Sequence, residues 1–144
     1  MSDRPETFNG IGASSGVAIG HVFVLDRRTV RVPRYHILPQ NVEREISRIH
    51  IAIEASVAQL ESIRSQFIDD GMDHSAILEA HEMMLQDANL LQETTSLVTH
   101  EHLNAEWAVS NVISRLRGFF EHVDDPYIRE RRGDIDFIGQ RILR

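Results

Sequence analysis

Histidines are the residues with the widest possible chemistry in this chain, which has eight of them among 144 residues. His81-Glu82 begins like the HExxH motif of zinc proteases, but Leu85 stands at the position of the second histidine. His100 and His102 are two residues apart, which places them on different sides of a helix. The paired ligands of a zinc site are missing, so the sequence predicts no metal site.

A nucleophile with a partner base is not found either. Ser14-Ser15-Gly16 lies in a small, flexible stretch, but it lacks the G-x-S-x-G elbow of hydrolases. The glycines around it are not followed by Gly-Lys-Ser/Thr, so they do not form a phosphate-binding loop. The better interpretation is a tight turn before a strand, and no catalytic residue is predicted.

His81 leaves three interpretations open. It is a partly buried histidine bonded to a glutamate or to the backbone, a contact for a partner protein on an exposed patch, or a phosphorylated or catalytic residue. The last is the weakest, because no phosphate-holding glycine backbone and no arginine lie near it in sequence.

The apolar period from residue 40 onward predicts the first of the helices that must position these side chains. The spacing is typical of a helix, and Pro39 and Asp69-Asp70-Gly71 bound it at nearly thirty residues. Its apolar positions are Val42, Ile46, Ile49, Ile53, Val57, Leu60, Ile63 and Phe67.

Residues 72–91 predict a helix broken in two. Asp73 is a candidate cap, and Gln86-Asp87-Ala88-Asn89 interrupt the pattern before it continues to His102. The run Met83-Met84-Leu85 is too apolar for one buried face, because a helix turns only one stripe toward its own core. Part of this run is therefore predicted to face a partner.

Two further helices complete the predicted fold. Asn104 is predicted to cap a third unit, and Asp125-Pro126 restart the chain before the last one. The predicted fold class is mainly α: an antiparallel four-helix bundle whose second helix is broken, with a short N-terminal β segment at Val22-Phe23-Val24. The apolar positions of the later units are Val109, Val112, Ile113, Leu116, Phe119, Phe120, Ile128, Ile135, Ile138 and Ile142.

Composition excludes several classes of function. The net charge is −7, and a nucleic-acid surface is not expected because phosphate binding needs a basic face. All 15 basic residues are arginines. There is no cysteine for disulfide or thiol chemistry. No apolar run approaches the ~20 residues of a membrane span, and the first ten residues do not resemble a signal peptide. A cytoplasmic location is expected.

Three stretches together resemble the N-terminal region of Enzyme I, the phosphoenolpyruvate–protein phosphotransferase of the bacterial sugar phosphotransferase system. They are GIGASSGVAIG near the start, AILEAHEMMLQD in the middle and DDPYIRERRGDIDFIGQRIL at the end. In that family a helical bundle is inserted into an α/β domain that carries a phosphorylated histidine. The bundle docks the phosphocarrier HPr, and a C-terminal barrel binds phosphoenolpyruvate with Mg²⁺.

The resemblance implies a division of the chain into two parts. Residues 1–36 are expected to belong to the α/β phosphohistidine domain, and residues 37–144 to form the HPr-binding bundle. The family histidine lies in a Gly-Gly-x-x-Ser-His type segment, which is not present here. We therefore expect residues 1–144 to be a fragment that is inactive alone, with Mg²⁺ and the phosphohistidine supplied by other domains of the parent enzyme.

The family's docking surface carries over to positions on the broken helix and the later helices. An apolar Met/Leu/Phe centre with an acidic rim would suit a carrier whose own apolar patch is ringed by basic groups. The expected partner-binding residues are Asp73, Ala76, Glu79, His81, Met83, Met84, Asp87, Leu90, Phe120, Tyr127 and Arg131.

Several positions depart from the family pattern. Ala80 replaces a common glycine, and Ala88 and Asn89 lack carboxylates that are common there, which predicts weaker electrostatic steering of the partner. Residues 105–109 are similar to the nitrogen-related paralogue, whose partner is the carrier NPr. Self-association through an unpaired N-terminal strand is a further alternative.

Overall fold

The computed structural model describes residues 11, 15–17, 19–21, 30–69, 75–122, 124 and 132–144 of the chain. Its elements are a short 3-10 turn followed by helices that pack around one apolar core. The predicted fold class, mainly α and with four bundle helices, is confirmed. The elements are the 3-10 turn Pro39–Asn41, α1 (Val42–Asp69), α2 (Ser75–Leu85), α3 (Ala88–Glu101), α4 (Ala105–Glu121) and α5 (Arg132–Ile142).

Helix α1 runs for 28 residues, as its apolar period predicts. Ile49 and Leu60 are fully buried on its inner stripe, and Glu43 and Glu45 lie in its first turn, where the helix dipole favours carboxylates. It packs along α2, α3, α4 and α5, so it serves as the common support of the bundle.

The second bundle helix is broken, as predicted, because the backbone of Asp87 is extended between α2 and α3. The Asp87 side chain accepts a hydrogen bond from the backbone N–H of Asn89 at 2.8 Å, which satisfies one of the free donors at the start of α3. Helix α3 ends at His102, which adopts a left-handed conformation with φ of 54°.

Helices α4 and α5 lie unusually close together at Gly139. A β-carbon there would stand 2.8 Å from Ile113 Cγ2, so only glycine allows this approach. Around the contact, α5 buries Ile135, Ile138 and Ile142, three of the positions that its apolar period predicts.

The segment before α1 is tied to the junction of α3 and α4. His36 and Leu103 form an isolated antiparallel bridge, and the Ile37 N–H donates to the His102 carbonyl at 2.7 Å. No sheet forms among the described residues, and the predicted strand at Val22-Phe23-Val24 lies outside them. The boundary predicted between residues 36 and 37 falls within this tied segment.

Asn104 is the N-cap residue of α4, as predicted, but its side chain does not make the expected cap hydrogen bond. The backbone N–H of Ala105 instead donates to Glu45 Oε2 at 2.9 Å, so a carboxylate of α1 accepts from the start of α4. The Asn104 amide accepts from the Tyr35 N–H and donates to the Pro33 carbonyl, both at 3.1 Å, and so holds the preceding segment.

Arg48 and Glu106 complete this junction. Arg48 donates to Glu45 and to Glu106, and Asn104 also donates to Glu106. Burial disfavours the charged form of Glu106, but hydrogen bonds from its own backbone, from Arg48 and from Asn104 outweigh it and lower its pKa. The two carboxylates raise the pKa of Arg48, which stays charged.

We predict that Gly139→Ala lowers the free energy of unfolding by about 1–3 kcal/mol, because the β-branched Ile113 cannot move aside without repacking. The matched control is Gly118→Ala in α4, where a new methyl group meets nothing within 4 Å. That change should raise the free energy of unfolding by about 0.5–1 kcal/mol, since alanine is the better helix former. Urea unfolding followed by circular dichroism measures both, and equal effects would contradict the close approach.

We predict a pH-dependent contribution from Glu106. Because its folded pKa lies below the 4.5 of an ordinary glutamate, its stabilising effect is fully present above that pH and is lost as the pH falls through the folded pKa. The difference in unfolding free energy between wild type and Glu106→Gln should therefore shrink in acid. Urea unfolding of wild type, Glu106→Gln and Arg48→Gln between pH 7 and pH 3 tests this. A difference that does not change with pH would refute it.

Candidate functional site

An apolar groove lies where the broken helix crosses α4 and α5. Its volume is about 180 Å³, and it opens to solvent. Residues from α2, α3, α4, α5 and the break at Asp87 all contribute to it. The lining residues are Met84, Asp87, Asn89, Leu90, Glu93, Val112, Ile113, Leu116, Phe120, Ile135 and Ile138.

The three apolar residues at the end of α2 point in three directions, as the sequence predicts. Leu85 is in the core, Met84 is half-buried in the groove wall, and Met83 is 68% exposed. At the other side, Phe120 lines the groove and packs edge-on against Phe119, which is 69% exposed. Apolar surface therefore continues beyond the groove at both sides.

Carboxylates border the groove at its α3 side. Asp87 and Glu93 both line it, and both side chains reach solvent. Glu93 lies 3.9 Å from Arg115, with both side chains about half exposed. Such an exposed pair contributes little binding energy, so the rim keeps its acidic character.

His81 is the predicted contact residue whose environment differs most from the expectation. It is only 8% exposed, so it lies behind the surface and is not part of an exposed patch. Its Nε2 atom is 3.3 Å from Asp134 Oδ1 in α5, and its ring packs against Phe137 with 5.0 Å between centroids. The burial agrees with the interpretation of a partly buried histidine bonded to a glutamate or to the backbone, but the ring nitrogens make neither hydrogen bond. The neighbouring Glu82 pairs with Arg64 of α1 at 3.0 Å.

The other predicted contact residues fall into three groups. Ala76 and Glu79 are exposed on α2, outside the groove. Leu90 is buried and forms part of the groove floor. Asp73, Tyr127 and Arg131 lie outside the described residues. Of the eight that are described, the structure brings Met84, Asp87, Leu90 and Phe120 together in the groove.

The groove also contains residues that the sequence did not assign to the site. Most belong to the apolar periods of α4 and α5, which predict burial but cannot distinguish a core position from the floor of an open groove. Asn89 and Glu93 carry no comparable signal. Only the packing of α3 against α4 shows that they face the groove.

No helix among the described residues is both long enough and apolar enough to cross a membrane. In the same part of the chain, no three histidine, aspartate or glutamate side chains converge in a way that could hold a metal ion.

Residues 9–131, most of the chain, match the family described as PEP-utilising enzyme, N-terminal. The chain belongs to this family. The phosphoenolpyruvate-protein phosphotransferase of Priestia megaterium is 36% identical over 135 residues, which are 93% of this chain but only 23% of that protein. The chain thus spans about a quarter of the length of the curated relatives that it matches.

Two solved structures share the fold. A solution NMR structure of an Enzyme I protein, nEIt, is similar with a TM-score of 0.73 and 28% identity over 81% of this chain and 47% of that chain. The N-terminal domain of Enzyme 1 - Nitrogen is similar with a TM-score of 0.71 and 27% identity, over 78% of this chain and 47% of that chain. The resemblance to the N-terminal region of Enzyme I is confirmed.

We predict that Asp87 holds the break in the second helix through its cap hydrogen bond and not through its charge. Asp87→Ala should lower the free energy of unfolding by about 1 kcal/mol, because it frees the Asn89 N–H. Asp87→Ser keeps a cap acceptor without a charge and should stay close to wild type. Urea unfolding of the two variants compares them directly, and equal losses would show that the cap is not the cause.

Proposed function

We propose that the bundle docks a small histidine-containing phosphocarrier protein of the HPr type, with the groove at the centre of the contact. The observation that carries this proposal is the open apolar groove beside the break in the second helix, bordered by Asp87 and Glu93. Half-buried apolar side chains such as Met84 and Phe120 adapt to a partner without exposing a large patch in the free protein.

Charge supports the choice of partner. The chain has a net charge of −7 and no lysine, and the groove has carboxylates at its edge. A carrier with an apolar patch inside a basic ring would match both properties, and opposite charges would speed its encounter with the groove. Glu79 and Met83, exposed on α2 outside the groove, would extend the contact.

The chemistry in this proposal belongs to the parent enzyme. The phosphoryl group would pass from phosphoenolpyruvate, with Mg²⁺, to a histidine of the α/β domain and then to the docked carrier. The bundle would contribute the orientation of the carrier, which lowers the entropic cost of transfer between two proteins. A cytoplasmic location belongs to the same proposal.

A carrier of the nitrogen branch, NPr, is the second candidate. The observation that favours it is the similarity to the N-terminal domain of Enzyme 1 - Nitrogen, whose TM-score of 0.71 is nearly equal to that of the Enzyme I structure. Both candidates use the same groove, so one experiment with both carriers separates them.

The test is a titration of isotope-labelled 1–144 with unphosphorylated HPr and, separately, with NPr. We expect one carrier to shift the resonances of Met84, Leu90 and Phe120 at micromolar to millimolar concentration. Glu93→Gln should weaken that binding about two- to fivefold, with the larger effect at low salt, because it removes a charge from the rim.

Glu54→Gln is the matched control, since Glu54 is exposed on α1 away from the groove. It should leave the affinity unchanged. Shifts that map outside the groove, or no shift with either carrier at millimolar concentration, would overturn the proposal. An equal effect of the two glutamine variants would show that net charge and not the rim determines binding.

A further inference from the structure

The buried His81 contacts two residues of α5 from its position on α2. Its Nε2 lies 3.3 Å from Asp134 Oδ1, and Phe137 covers the ring. Neither ring nitrogen meets hydrogen-bond geometry, although both are buried. Buried polar atoms normally have partners. Moving Asp134 away would leave the buried Nε2 without its nearest polar group, and this cost favours a short distance between Nε2 and Oδ1.

The pair is adjacent in sequence to residues of two groove walls. Met84 follows His81 by one helical turn, and Ile135 follows Asp134 in sequence; both line the groove. Helices α2 and α5 make fewer contacts with each other than α2 makes with α1 or α5 makes with α4. The contact between His81 and Asp134 is therefore a principal polar constraint on the distance between these two walls.

We propose that His81 is a positioning residue: through Asp134, it fixes the separation of α2 and α5 and so the width of the groove. The docking consequence rests on the function proposed above. The positioning itself concerns the free chain and is measured without any carrier.

Two substitutions of His81 distinguish the effect of its polar contact with Asp134 from the effect of its ring packing against Phe137. His81→Phe keeps an aromatic ring against Phe137 and removes the donor, whereas His81→Gln keeps a donor for Asp134 and removes the ring. If the polar contact sets the spacing, His81→Phe should shift the methyl resonances of Met84 and Ile135 in the free chain, and His81→Gln should leave them near wild type. His50→Phe, at an exposed site on α1, is the matched control and should shift neither.

Carrier affinity gives the second measurement. We expect His81→Phe to weaken binding about tenfold, or about 1.4 kcal/mol, because it removes the polar contact that sets the groove width, and His81→Gln to restore most of it. The double variant should be no weaker than Asp134→Ala alone, because both single changes remove the contact between His81 and Asp134.

The outcomes separate this inference from the proposed function. If no carrier binds wild type but the methyl shifts follow the expected order, the function fails and the positioning role stands. If His81→Phe changes only stability, with groove methyls and affinity as in wild type, the positioning role is wrong. If His81→Phe does not fold, Asp134→Asn, which keeps the acceptor oxygen and the volume, is compared with Asp134→Ala by the same measurements.

Discussion

The bundle depends on the buried polar junction at the start of α4. A helix N-terminus leaves backbone N–H groups without partners, and burying them is costly unless another group accepts from them. Here the Glu45 carboxylate reaches from α1 to Ala105, 60 residues away in sequence. Asn104, which is completely buried, directs its amide to the segment before α1. The junction thus joins the beginning of the bundle to its middle through hydrogen bonds that require a defined geometry.

With α4 held in this way, the groove follows from the packing of its neighbours. Gly139 lets α5 approach one side of α4 closely, while α3 covers another side. The break at Asp87 changes the direction of the second helix just before α3 begins. Beside this break, Leu116 and Phe120 of α4 are partly uncovered and line the groove. The groove therefore lies beside the break, with Asp87 in its lining.

The spacing of apolar residues predicts the helices and their buried faces. It does not predict contacts between residues that are far apart in sequence. The apolar spacing of α1 predicts its length, and three adjacent apolar residues at Met83-Met84-Leu85 predict an outward-facing one. Both are local properties of a helix. Nothing near Ala105 in sequence indicates that Glu45 accepts its N–H, and nothing near His81 indicates Asp134 as its neighbour.

The same limit applies to the groove itself. The apolar spacing of α4 assigns Val112 and Ile113 to its inner face, and both are buried. Whether that face is covered or lines an open groove depends on the path of the broken second helix. The family resemblance supplied Met84, Asp87, Leu90 and Phe120 because related sequences share that path. It also suggested His81 as a surface contact, since a motif gives a residue's position along the helix but not the depth of its side chain.

Some arginines of the bundle make contacts between helices, away from the acidic rim of the groove. Several arginines are engaged between helices: Arg64 pairs with Glu82, and Arg141 donates to Gln59 at 3.0 Å while its guanidinium lies over the Phe137 ring. Each contact uses a planar donor that lysine could not replace equally well. Part of the positive charge of the described residues thus lies at contacts between helices. In the part of the chain that the structure describes, the long, exposed contact of Arg115 is the ion pair at Glu93 on the groove rim. Because a contact of that kind is weak, the basic partner proposed above would replace Arg115 at Glu93 at little cost.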